Sequence, residues 1–79
     1  MMDKSYIVAN NEQELDVLKK LQQDGLLWLE GEQPTEFVTS EEGFFVSFPY
    51  LLIEREDGKI SWSAMDQLED ETVVYDGRN

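Results

Sequence analysis

The 79-residue chain contains no cysteine and no histidine. Without cysteine it can form neither a disulfide nor a thiolate metal site, which fits a cytosolic protein. Without histidine it lacks the usual near-neutral general base and the partner that activates a nucleophilic serine. The commonest zinc ligands are absent as well. We therefore expect a protein that is not an enzyme and that uses no metal and no cofactor.

Long apolar runs are also missing. No stretch approaches the roughly 20 apolar residues that a membrane-spanning helix requires, and the first residues lack the pattern of a signal peptide. We expect a cytoplasmic protein without membrane contact. A hydrophobic fraction of 41% is still enough for a core, so residues 1–79 are expected to form a single domain.

Positive charge is scarce. Eighteen Asp and Glu face six Lys and Arg, for a net charge of -12. A surface of this sign repels nucleic acid and anionic membranes and attracts basic protein surfaces. The composition predicts a basic partner protein rather than direct binding to nucleic acid.

The order of secondary structure indicates an α+β fold. A strand at 5–9 precedes a helix at 12–24, which Asn11 and Glu14 should cap at its start and Gly25 should end. Asp57-Gly58 is typical of a type I′ hairpin. The remaining predicted pieces are a buried strand at 26–29, an extended piece at 35–38, hairpin arms at 50–55 and 59–63, a short helix at 64–68, a strand at 72–75 and a frayed end at 76–79. One helix on a mostly antiparallel sheet of four or five strands accounts for this order.

Carboxylates recur through the second half of the chain. Residues i and i+2 of a strand lie about 6.6 Å apart, a spacing similar to that of successive phosphates in nucleic acid. Such spacing in Glu30/Glu32 and Glu54/Glu56 favours mimicry of a nucleic acid, although a solubilising acidic surface explains the same composition. The acidic residues expected to face a partner are Glu30, Glu32, Glu36, Glu41, Glu42, Glu54, Glu56, Asp57, Asp66, Glu69 and Asp70.

Aromatic residues supply both core and candidate anchors. Phe44 and Phe45 are adjacent, so on a strand they would point to opposite faces. One of them, rimmed by Glu41 and Glu42, is predicted to anchor an interface, and Tyr75 could serve likewise. The aromatic residues expected mainly in the core are Trp28, Phe37, Phe44, Phe45, Phe48, Tyr50 and Trp62.

The pattern Trp28-x-x-Gly31-x-x-Pro34-Thr35-x-Phe37, followed by a hairpin that ends in Ile60-x-Trp62, resembles small uncharacterised accessory proteins of phages of Gram-positive bacteria. The resemblance covers about residues 5–63. It implies a dispensable phage protein that disarms a host enzyme, and it transfers no functional residue to this chain.

Three hypotheses of function follow. The first is a non-enzymatic inhibitor, an acidic nucleic-acid mimic that blocks the basic groove of a host defence or nucleic-acid-processing enzyme. The second is a protein that binds or sequesters a small ligand in a pocket lined by Trp28, Phe37 and Trp62. The third is a structural or assembly protein that pairs through a sheet edge.

Overall fold

The computed structural model describes residues 3–38 and 47–78, and of Asp70 the backbone alone. One helix and five strands follow in the predicted order. Their bounds are β1 (Lys4–Val8), α1 (Asn11–Gln23), β2 (Leu27–Trp28), β3 (Tyr50–Glu54), β4 (Lys59–Ser63) and β5 (Val73–Asp76). Short 3-10 turns lie at Pro34–Glu36, Met65–Gln67 and Asp70–Thr72. The predicted α+β class with an N-terminal helix is confirmed.

The sheet has the strand order β2-β4-β3-β1-β5. The central strand β3 pairs antiparallel with both β1 and β4. The two edge strands instead pair in parallel, β2 with β4 and β5 with β1. The sheet is therefore mixed, with the predicted antiparallel pairing at its centre.

Helix α1 begins one residue earlier than predicted. Asn10, rather than Asn11, is the cap: its side chain accepts a hydrogen bond from the Gln13 N–H at 2.9 Å. The Gln13 side chain in turn accepts from the N–H of Ala9 at 2.8 Å. This exchange satisfies donors that a helix start leaves free. The predicted pairing of Asn11 with Glu14 as the capping box is wrong, because Glu14 points into the core.

The end of α1 confirms the role predicted for Gly25. Its φ of 84° lies in the left-handed region, which glycine enters without a Cβ clash. The N–H of Gly25 bonds to the carbonyl of Gln22, and that of Leu26 bonds to Leu21. These two bonds form a Schellman motif and direct the chain back towards β2.

The β3–β4 hairpin forms with a different turn from the one predicted. The N–H of Gly58 donates to the carbonyl of Arg55 at 3.1 Å, and Gly58 has a φ of 81°. A type I′ turn would also need a positive φ at Asp57. No non-glycine residue in the described ranges has one. The connection is thus a three-residue loop, a type I turn followed by a left-handed glycine.

Helix α1 covers one face of the sheet and forms the main core. Side chains of α1, of the strands and of the segment after β2 meet there, namely Tyr6, Val8, Val17, Leu18, Leu21, Leu26, Trp28, Val38, Tyr50, Leu52 and Ile60. Glu14 is fully buried among them. The Tyr50 hydroxyl donates to its carboxylate, and Asn11 donates to its other oxygen at 3.3 Å. These bonds offset the cost of burying a carboxyl group.

The segment between β4 and β5 covers the opposite face. Ser5 and Ile7 point away from α1 because side chains alternate along a strand, and both are buried. The Ser5 hydroxyl hydrogen-bonds to that of Thr72 at 2.7 Å, which fastens the segment to this face. The β1–β2 and β4–β5 connections cross the sheet in opposite directions. Two crossover connections that run in opposite directions and have the same handedness lie on opposite faces of the sheet.

Three further predictions differ from the structure, in whole or in part. The predicted extended piece at 35–38 begins in a 3-10 turn that Glu36 caps by accepting from the Gln33 N–H. The strand predicted at 26–29 is shorter, and Leu29 is exposed. The end predicted to fray is held to β1 by a hydrogen bond, which the N–H of Gly77 donates to the carbonyl of Ile7 at 2.8 Å.

Candidate functional site

A small pocket opens at the β2 edge of the sheet, and we call it the aromatic pocket. Its volume is about 230 Å³. Its walls come from β2, from the segment that follows β2, and from β4. They comprise Trp28, Leu29, Glu30, Glu32, Phe37 and Trp62.

A tight turn after β2 brings the two carboxylates to the pocket. The N–H of Gly31 donates to the carbonyl of Trp28 at 2.9 Å, and the N–H of Trp28 donates to the carbonyl of Glu32 at 2.9 Å. Gly31 has a φ of 96°, which favours glycine at this position. The chain thereby folds back, so that Glu30 and Glu32 lie beside the ring of Trp28 rather than along a strand.

The aromatic walls are held in fixed orientations. The Trp28 indole donates to the carbonyl of Pro34 at 3.2 Å, and its ring meets Phe37 edge-on with centroids 5.4 Å apart. The Trp62 ring meets the Tyr50 ring edge-on, with centroids 6.4 Å apart. Although Trp62 lies on the helix-facing side of β4, it is 38% exposed. The expectation that Trp62 is a buried core residue is therefore wrong.

One oxygen of a pocket-lining carboxylate has no hydrogen-bond partner among the described residues. Glu32 Oε1 is buried and accepts no hydrogen bond in the described part of the chain. A buried acceptor left unsatisfied costs about 1–3 kcal/mol, so such atoms are rare in folded proteins. Within the same ranges neither Glu30 nor Glu32 forms an ion pair. The pocket thus combines aromatic faces with negative charge that the molecule does not neutralise locally.

A larger cleft lies at the opposite edge, between α1, β1 and β5, and we call it the lysine cleft. Its volume is about 480 Å³. Tyr75 and Val74 of β5 are partly exposed beside it. The residues lining it are Lys4, Tyr6, Asp16, Val17, Lys20, Val74 and Tyr75.

Charges in the lysine cleft are largely paired. Lys20 contacts Asp24 at 3.1 Å and the Tyr6 hydroxyl at 3.4 Å. That hydroxyl donates to Glu54 at 2.8 Å, and Lys4 lies 3.9 Å from Glu54. Burial raises the pKa of the Tyr6 phenol, the hydrogen bond to Glu54 raises it further, and Lys20 opposes both. The hydrogen bond to Asp24 raises the pKa of Lys20.

The predicted partner-facing acids are dispersed by the fold. Glu54 lies half-buried in the lysine-cleft network. Glu56 and Asp57 lie in the hairpin loop, where Asp57 pairs with Arg55 at 3.3 Å. Exposed Asp66 and Glu69 lie on the segment that covers the other face.

The predicted phosphate-like spacing along a strand is not found. Glu30 and Glu32 lie in a turn, and β3 ends at Glu54, before Glu56. Glu36 caps a 3-10 turn. The pair that the fold does bring together beside exposed aromatic surface is Glu30 with Glu32. The predicted residues outside the described structure are Glu41, Glu42, Phe44, Phe45 and the side chain of Asp70.

Sequence reasoning assigned the pocket-lining aromatic residues and the pocket carboxylates to two different hypotheses. The signal that could have joined them is Gly31, since a glycine two residues after an apolar strand indicates a reversal of the chain. Within the described ranges no three acidic side chains gather into a metal-binding group. No helix there is long and apolar enough to span a membrane.

Comparison of the chain with protein-family models, with curated proteins and with solved structures finds no match to any of them.

Proposed function

We propose that this protein is a non-enzymatic inhibitor that binds the basic surface of a host nucleic-acid-processing or defence enzyme. The observation that carries the proposal is the aromatic pocket, where the 38%-exposed Trp62 lies beside two carboxylates that form no ion pair within residues 3–38 and 47–78. An exposed aromatic anchor with charged neighbours is typical of protein-binding surfaces. The resemblance to phage accessory proteins favours the host cytoplasm as the place of action.

The distribution of cations supports the same proposal. Four of the six cationic side chains form ion pairs within the molecule, and these are Lys4, Lys20, Arg55 and Arg78. Most of the cations are thus paired within the molecule, while a net charge of -12 is presented to a partner. Carboxylates of this kind can pair with the Arg and Lys that hold phosphates, and opposite charge speeds association.

A binding experiment tests the proposal. The immobilised protein is exposed to a lysate of a Gram-positive bacterium, and the retained proteins are eluted with rising salt. We expect nucleic-acid-binding enzymes to be retained, to be displaced by duplex DNA, and to elute between about 50 and 200 mM salt, as charge-driven binding does. Retention that neither salt nor DNA weakens would contradict the proposal.

Matched variants locate the surface. Glu30→Gln with Glu32→Gln removes two charges from the aromatic pocket. Glu12→Gln with Glu71→Gln removes two from exposed positions elsewhere. The first pair should weaken retention strongly, and the second should weaken it only through the net charge. Equal losses would show that net charge alone drives the binding.

Binding of a small ligand is a second candidate function, and the lysine cleft favours it. Its volume of about 480 Å³ falls within the range of roughly 300–1,000 Å³ that small-molecule sites occupy. The aromatic pocket, at about 230 Å³, falls below that range. A ligand that binds the folded state would raise the melting temperature, so screening metabolites by thermal shift separates this candidate from the first.

Assembly through a sheet edge is the third candidate. β5 is an edge strand with Val74 and Tyr75 exposed, and such strands can pair with another chain. A molecular mass in solution that rises with protein concentration, and that falls for Val74→Lys, would favour it.

A further inference from the structure

The aromatic pocket presents carboxylates that the described part of the chain does not pair, since neither Glu30 nor Glu32 forms an ion pair there. Buried acceptors almost always have a hydrogen-bond partner, and Glu32 Oε1 has none in the described chain. The Trp28 indole N–H, a donor on a lining residue, bonds to the carbonyl of Pro34. The pocket therefore suits an occupant that carries positive charge.

The walls of the pocket narrow the chemistry of that occupant. Trp62, Phe37 and Trp28 offer aromatic surface, and Glu30 and Glu32 offer negative charge. No cationic side chain is among the lining residues. A cation over an aromatic face is attracted by the ring quadrupole, and a carboxylate beside it adds a charge-assisted hydrogen bond. The combination favours an organic cation over an anion or a neutral metabolite.

The size of the pocket narrows the choice further. A volume of about 230 Å³ is smaller than the roughly 300 Å³ at which small-molecule sites begin, so it suits the end of one side chain. A guanidinium group is planar, stacks on aromatic rings, is less strongly hydrated than an ammonium and can bond a carboxylate with two N–H groups. We infer that the aromatic pocket binds an arginine side chain of the partner protein. This inference rests on the proposed function for the source of the arginine.

Titration with a minimal probe tests the inference. N-acetyl-arginine-amide is added to ¹⁵N-labelled protein, and the indole N–H signals of Trp28 and Trp62 are followed. The citrulline analogue has nearly the same shape without the charge, and the lysine analogue keeps the charge without the planar group. The arginine probe should shift the Trp62 indole signal saturably, the lysine probe should bind more weakly, and the citrulline probe should leave the signal unchanged.

Two variants assign the binding to this pocket. Glu32→Gln keeps the shape of the side chain and should lower the affinity for the arginine probe by roughly tenfold or more, because a hydrogen bond to a charged group is lost. Trp62→Leu removes a partly exposed ring and should abolish saturable shifts of the Trp28 signal. Glu71→Gln is the matched control, since it removes one charge from an exposed position on the segment that covers the opposite face.

Equal binding of the citrulline and arginine probes would overturn the inference. So would an absence of saturable shifts, or equal loss of affinity in Glu32→Gln and Glu71→Gln. Failure here is distinguishable from failure of the proposed function. Salt-sensitive capture of a basic partner without arginine binding removes the pocket assignment alone. Binding of the arginine probe in a protein that captures no basic partner removes the inhibitor proposal.

Discussion

The two edges of the sheet hold opposite arrangements of charge. At the β2 edge, the aromatic pocket contains two carboxylates and no cation among its lining residues. At the β5 edge, the lysine cleft contains Lys4 and Lys20 with one carboxylate, Asp16. Both edge strands pair in parallel with their neighbours. The difference therefore comes from the side chains and turns at each edge rather than from the backbone arrangement.

The contrast shows where an excess of negative charge is left uncompensated. At the lysine cleft, Lys20 and Lys4 each meet an acid within 4 Å, so the local charges largely cancel. At the aromatic pocket, the described carboxylates meet no cation. The lysine cleft is thus largely neutralised within the molecule, whereas the aromatic pocket keeps two carboxylates without an ion pair in the described residues.

The largest expected difference between the edges is in stability. Trp28, 5% exposed, packs into the core at the β2 edge, so Trp28→Ala should lower the free energy of unfolding by about 3–5 kcal/mol. Tyr75 is 38% exposed at the β5 edge, so Tyr75→Ala should lower the free energy of unfolding by only about 1 kcal/mol. Urea unfolding of the two variants measures both values. An equal loss of unfolding free energy in Tyr75→Ala and Trp28→Ala would contradict the expected difference.

A smaller effect is expected where β5 ends. A Cβ added at Gly77 would collide with the Gln13 side chain and lie 2.9 Å from the carbonyl oxygen of Ile7. Gly77→Ala should therefore lower the free energy of unfolding by about 1–3 kcal/mol, as overpacking does. If the collision with Gln13 is the cause, the added cost should shrink in the Gln13→Ala background, which a double-mutant cycle by urea unfolding measures. A neutral Gly77→Ala would mean that the β5 end is looser than the structure indicates.

The smallest expected effect is a loss of stability at alkaline pH that originates in the lysine cleft. Because burial raises the pKa of Tyr6 in the folded state, the resulting stability is complete below the unfolded pKa of about 10 and is lost as pH rises through the folded value. The raised pKa of Lys20 acts in the same direction. Between pH 8 and pH 11, the free energy of unfolding measured with urea should fall less for Tyr6→Phe than for the unmodified chain. Tyr75→Phe serves as the control and should leave the loss unchanged.

Local chemistry made much of this fold predictable. The Schellman motif at Gly25 and the hairpin at Asp57-Gly58 depend on a few neighbouring residues, so their positions follow from the sequence. Glu14 shows where local reasoning fails. It suits a helix start, yet it lies four residues before Leu18 and seven before Leu21 on the buried stripe. Its acceptor role becomes visible only once Tyr50, distant in sequence, is placed opposite it.

The candidate site was predictable in part. Trp28, Phe37 and Trp62 were expected mainly in the core, and only the small-ligand hypothesis had them line a pocket, which they do. That Glu30 and Glu32 complete the same pocket depends on the turn at Gly31 and on the parallel pairing of β2 with β4. Trp28 pairs with Ile60, 32 positions later in the chain, and such distant pairing produces no local sequence pattern. The strand-like spacing of acids assumed extended backbone where the chain turns.

The two connections on opposite faces have a consequence for how the molecule opens. Strands β1 and β3 are covered by α1 on one side and by the β4–β5 segment on the other, and both have hydrogen-bonded neighbours along each edge. Their amide protons should therefore exchange with solvent most slowly and report the global unfolding free energy. Strands β2 and β5 lie at the edges of the sheet, so they are expected to separate before the central strands do.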